Sequence, residues 1–130
     1  MPLSGAVNAA RILVPLDDPD HLSVDEASIE DDTMVVGIEI DGDAHAWQVQ
    51  TLVPHHIVHD TVAGRPVIAA WCAVCNSGMV YDGTAGGQSL HFDPETVWRQ
   101  NMVMRDRETG TLWQHSTGEA LVGPLEGTHL

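Results

Sequence analysis

Met34-Val35-Val36-Gly37-Ile38-Glu39-Ile40-Asp41-Gly42 is the stretch whose reading decides the fold. Its first seven residues are mostly β-branched and apolar, which suits a pleated, half-buried strand. Asp41-Gly42 is a strong two-residue turn signal, and Ala44 to Val49 alternates on the far side, so a hairpin is expected here. Toward the C-terminus the same punctuation repeats. Ala63-Gly64-Arg65-Pro66 is a turn, and Val67-Ile68-Ala69-Ala70-Trp71 is a fully apolar run, expected as a buried central strand ending at Cys72. Short strands are expected around Met79-Val80-Tyr81, Ser89 to Phe92, Asn101 to Met104, Thr111 to His115 and Gly118 to Pro124. Glycine and aspartate turns separate them. Leu52, Val53 and Ile57 sit at roughly helical spacing, but Pro54 interrupts them, so that segment predicts only a short helix or turn. The expected fold is mainly β: one compact domain of short antiparallel strands, sandwich or barrel-like, with one or two short helical turns. Residues 34–130 form the β-rich domain, and residues 1–33 are a lead-in packed on it.

Composition narrows the function. Five arginines, no lysine and nineteen carboxylates give a formal charge of -14. Such a surface repels nucleic acid and anionic membranes, which excludes both as partners at this stage, and leaves a small molecule as the substrate to consider. No stretch approaches the ~20 apolar residues of a membrane span. No secretory leader is visible, so a cytoplasmic protein is expected.

Candidate chemistry concentrates in one region. Cys72 and Cys75, the only cysteines, stand at C-x-x-C spacing, as in zinc knuckles and redox dithiols. No second C-x-x-C exists, so histidines would have to complete any metal site. His55 and His59 are four residues apart and can share a face, and His56 and His59 are three apart. His115 ends a strand, where it can reach the same centre. Asp60 closes the cluster as a candidate acceptor that orients an imidazole, with His56 in a similar supporting place. Met79 offers a soft thioether four residues beyond Cys75. His45 and His91 are expected to be solvated, and His21 and His129 lie near the termini. Trp71, Trp98 and Trp113 are expected in the core.

From about Met34 onward the chain resembles a bacterial and archaeal family known as domain of unknown function 3179. The hairpin V-x-G-x-x-I-x-G-x-A-x-A corresponds to Val35 through Ala46, with intervening positions altered. The family's W-H-E-I-V-N-D corresponds to Pro54 through Asp60, and its P-V-x-V-T-Y-C-P-L-C to Pro66 through Cys75. Its D-R-x-T-G-S-L-W-x-Q-x-x-G-E-A-x-x-G-P-L-x-G is matched closely by Asp106 through Gly127. The resemblance implies that His55, Asp60, Cys72 and Cys75 belong to one site. Pro54, His56, His59 and Ala73 depart from the family pattern, and the added histidines suggest a member adapted to hold a metal.

The leading expectation is therefore a small metal-binding protein with a mixed Cys/His site. Cys72 and Cys75 would be ligands together with His55 and either His59 or His115. Two thiolates and imidazole favour copper, with zinc or iron as alternatives. A copper site would open a redox reaction on a small molecule, making the protein an oxidoreductase. Two rivals stand beside it: a metal-independent thiol–disulfide oxidoreductase using the C-x-x-C, and a non-catalytic metal carrier or partner-binding module.

Overall fold

Val67 to Cys72 carry no charge and no free hydroxyl, so a strand built from them needs cover on both faces. A computed structural model, which describes residues 7–8 and 13–130, supplies that cover from two directions. In chain order the first elements are β1 (Val7–Asn8), β2 (Leu16–Asp17), β3 (Val35–Ile40), β4 (Asp43–Gln48), α1 (Val49–His55), β5 (Ile57–Val62) and β6 (Arg65–Cys72). They are followed by β7 (Ser77–Asp82), β8 (Thr84–Ala85), β9 (Gln88–Ser89), β10 (Phe92–Trp98), β11 (Asn101–Asp106), β12 (Leu112–Gln114) and β13 (Ala120–Val122).

The central sheet has the order β2-β5-β6-β7, and a second sheet has the order β1-β10-β11-β12-β13. Strand alternation splits β5 and β6 between two cores. Ile57, Ile68, Ala70 and Cys72 face the five-stranded sheet, packing with Phe92, Met102, Met104 and Trp113. Val58, Val67, Ala69 and Trp71 face the opposite way, against Trp47 and Leu52 from the β3–β4 hairpin and α1. Among the described residues the result is three stacked layers of open sheets, mainly β, with one short helix. Phe92 and Trp113 meet edge to face at 5.9 Å in the first core. In the second, a Cβ on Gly78 would stand 2.5 Å from Val36 Cγ2, so a bare backbone there lets the hairpin press onto β7.

The hairpin forms as its sequence predicts. Asp41 and Gly42 both take positive φ (51° and 81°), and the ladder runs from Val35↔Gln48 to Ile40↔Asp43. Ala63 and Gly64 (φ 51° and 75°) close β5 on β6 in the same way. Two features differ from expectation. β2 pairs parallel with β5, so the sheets are not purely antiparallel and the lead-in enters the central sheet through Leu16 and Asp17. Residues 1–6 and 9–12 of that lead-in lie outside the described residues. Asp93 to Trp98, which carries little strand signal, completes β10 as a full partner of β11. Pro94 is tolerated because the register shifts between Pro94 and Thr96. The β10–β11 turn is made by Arg99 and Gln100 at positive φ, two residues that do not advertise a turn. Among the described residues no helix is long and apolar enough to cross a membrane.

Candidate functional site

Cys72 is the last residue of β6, and the turn at 73–76 carries the chain back to Ser77, directly opposite Cys72 in the ladder. Asn76 reaches the positive φ (49°) that so tight a return needs. The turn brings the two sulfurs together as a disulfide with the Cα atoms 5.4 Å apart. The halves of the bond differ in access: Cys72 is buried, while Cys75 is half-buried. The backbone N–H of Cys75 donates to Cys72 Sγ at 3.2 Å. Cys75 Sγ lies 3.9 Å from Asn101 Oδ1 on β11.

His115 completes the group. A ring nitrogen of His115 and both sulfurs lie within 4.8 Å of one another. The second sheet holds this residue firmly. Its N–H donates to Met102 O at 3.0 Å, and the Tyr81 hydroxyl donates to its carbonyl at 2.7 Å. Upstream, the fully buried Asp106 accepts from Trp113 Nε1 at 2.8 Å, from Thr109 N at 2.5 Å and from Thr109 Oγ1 at 2.8 Å, fixing where β12 begins. His115 Nε2 stands 3.3 Å from Ala70 O. A carbonyl only accepts, so Nε2 carries the hydrogen and Nδ1 carries the lone pair. That Nδ1 is buried without a hydrogen-bond partner. Burial holds the His115 pKa below the ordinary histidine value, opposed by the Ala70 contact, and a positive charge on nearby His56 would lower it further.

His56 sits at the C-terminus of α1 with φ 61°, a left-handed conformation unusual for so large a side chain. Its N–H donates to Leu52 O, and its carbonyl accepts from Trp71 N at 2.8 Å, so it is the hinge between helix and β5. Its Nδ1 is also buried without a partner, and burial lowers its pKa. Met79 stands opposite Ala70 in β7, on the face that carries Cys72.

The other expected ligands go elsewhere. His55 Nδ1 donates to Val14 O at 2.7 Å, away from the sulfurs. His59 stands opposite Ile68, four residues from Cys72 along β6, or about 13 Å at the usual strand rise. Both of its nitrogens are committed: Nδ1 donates to Asp17 Oδ1 at 2.6 Å, and Nε2 accepts from Phe92 N at 2.8 Å. Burial lowers its pKa, with Asp17 opposing. Asp60 points to the opposite face of the sheet, where Trp47 Nε1 donates to Oδ2 at 3.0 Å and Thr61 N to Oδ1 at 2.8 Å. The imidazole it meets is that of His21, at 2.5 Å. His45, expected to be solvated, instead has a mostly buried ring against His21. His91 is about half exposed, as expected, beside Glu108. Tyr81 and Asn101 give no local sequence signal, because only cross-sheet packing brings Tyr81 to the His115 carbonyl and Asn101 to Cys75 Sγ.

A family model described as a protein of unknown function (DUF3179) matches residues 13–130. No curated protein and no solved structure matches the chain.

Proposed function

The chain belongs to the DUF3179 family of proteins of unknown function, and on that premise we propose that Cys72 and Cys75 form a redox-active dithiol that exchanges with disulfides of small-molecule or peptide substrates. The observation that carries this reading is a disulfide between one half-buried and one buried cysteine, with a ring nitrogen of a buried imidazole near both sulfurs and that imidazole's Nδ1 unpartnered. In the oxidising direction Cys75, as thiolate, attacks a substrate disulfide and expels one substrate thiol. Cys72 then gives its proton to His115 Nδ1 and attacks Cys75 Sγ, expelling the second thiol and closing the protein disulfide. One protein dithiol and one substrate disulfide thus become one protein disulfide and two thiols, a two-electron exchange. The Cys75 N–H stabilises charge on Cys72 Sγ, and a neutral His115 serves as the base.

Trapping tests it. With glutathione disulfide, Cys72→Ser should accumulate a stable mixed disulfide at Cys75, visible by intact mass, whereas Cys75→Ser should accumulate far less. A wild-type pair that resists excess dithiothreitol while folded, or no adduct on Cys72→Ser, would overturn the reading.

A second reading has its own support. In the reduced state two thiolates and His115, with His56 and its unpartnered Nδ1 near His115, would form a soft donor set suited to copper(I) or zinc. Copper retained by the reduced protein and lost in His115→Gln would favour that reading. In that case a metal-binding or carrier role, or copper redox chemistry, replaces bare dithiol exchange.

A further inference from the structure

On the other face of the central sheet a second constellation stands apart from the cysteines. A ring nitrogen of His21, a ring nitrogen of His45 and a carboxylate oxygen of Asp60 all lie within 4.8 Å of one another. We propose that these three residues bind one divalent transition-metal ion of the zinc class.

Three features support the assignment. First, Asp60 is a buried carboxylate held in place from both oxygens, by Trp47 Nε1 at Oδ2 and by Thr61 N at Oδ1. Outer hydrogen bonds of this kind orient metal-binding carboxylates. Second, His45 carries the same kind of support. Its Nε2 stands 3.1 Å from Asp43 Oδ1, and Asp43 Oδ2 in turn accepts from Ala63 N at 2.8 Å. A carboxylate accepts, so Nε2 carries the hydrogen and the lone pair resides on Nδ1. That Nδ1 is buried and has no hydrogen-bond partner, a lone pair left without a donor. Carboxylate–imidazole pairs that free the second nitrogen are the usual outer support of a metal-bound histidine. Third, the His21 and His45 rings meet at 4.7 Å in an edge arrangement, so the two imidazoles already converge.

Two imidazoles and one carboxylate suit zinc, cobalt(II), nickel or copper(II) better than magnesium or calcium. Three protein ligands leave a position for water, the pattern of a site open to substrate rather than a closed structural one. The ion also has a structural consequence. His21 lies in the segment before the hairpin, His45 in β4 and Asp60 in β5, so one ion ties three separate pieces of the chain together. The charge of -14 favours cation capture over anion binding.

This site is independent of the thiol chemistry, and the test keeps the two apart. Oxidised full-length protein, its cysteines locked as the disulfide, is titrated with Co²⁺ and followed by visible absorption and calorimetry. One equivalent should bind, with d–d bands and no thiolate charge-transfer band. His21→Gln and His45→Gln should each weaken binding about a hundredfold, and Asp43→Asn about tenfold. His91→Gln should change nothing, and an unaltered far-ultraviolet spectrum confirms that each variant is folded. Failure of the oxidised protein to bind Co²⁺, or equal binding by the double variant His21→Gln/His45→Gln, overturns the site. Binding that appears only after reduction, with a thiolate band, assigns the metal to Cys72 and Cys75 and overturns it as well.

Discussion

The two faces of the central sheet use similar residues in opposite ways. Toward the five-stranded sheet, His115 stands among sulfur and hydrocarbon and keeps a neutral ring with a free Nδ1. Toward the hairpin, His21 and His45 stand beside Asp60 and Asp43, with the His21 side chain about one-third exposed. The first environment disfavours charge by desolvation, and the second sets its imidazoles against carboxylate oxygens. Adjacent residues divide between the two faces: His59 belongs to the first and Asp60 to the second, though a single peptide bond separates them. Proximity in sequence therefore says little about which residues of a strand act together.

The sharpest way to break the comparison is to silence one face. Cys75→Ser should reduce disulfide exchange to the background rate while leaving Co²⁺ binding by the other face unchanged, measured by thiol release and by absorption. Next in size is the anchor of the first face. Asp106 is fully buried with Trp113, Thr109 and Gly110 as donors, so Asp106→Ala should cost about 3 kcal/mol of stability in urea unfolding. An effect under about 1 kcal/mol would mean that the Asp106 network does not hold the His115 turn.

His115→Gln keeps a donor for Ala70 O but removes the base. Exchange at pH 7 should slow about a hundredfold, while His55→Gln and His59→Gln should leave it within about twofold. Equal losses in all three would erase the distinction between the site and its surroundings.

The smallest expected effect is a pH dependence. Burial lowers the pKa of His56, His59 and His115 in the folded state. The unfolded chain therefore binds more protons as pH drops through the ordinary histidine range. The stability associated with these neutral rings is fully present above about pH 6.5 and is lost as pH falls toward the lowered folded values. Each ring contributes at most about 1.4 kcal/mol per pH unit within its window. Urea midpoints should fall from pH 7 to pH 5, and His115→Gln should flatten that fall. A midpoint that rises on acidification would contradict the buried, neutral state of these rings.

Much of the framework was legible locally. Asp41-Gly42, Ala63-Gly64 and the uncharged run to Cys72 announce themselves through turn chemistry and hydrophobic pattern. The segment from Asp106 to Trp113 was legible as a motif, but its purpose was not, because Asp106 looks like a turn carboxylate until Trp113 folds back onto it. β10 escapes the local pattern because Pro94 weakens its strand signal and the Arg99-Gln100 turn contains neither glycine nor asparagine. For the site, the sequence offers Cys72, Cys75 and His115 among the candidate ligands, and in the structure their side chains lie close together. Spacing groups His59 with them, and spacing together with the family resemblance groups His55. That spacing describes a helix or wide turn, whereas His59 lies in a strand and both of its nitrogens are already bonded.

The sequence alone determined that the chain is mainly β, that β6 is buried and that its end carries a C-x-x-C, because turns and hydrophobic runs act over a few residues. Tertiary structure decided which histidine meets the sulfurs, which meets a carboxylate, and which is consumed by structural hydrogen bonds. Those outcomes depend on the packing of separate sheets, where alternating residues of one strand enter different cores, and no local pattern encodes that.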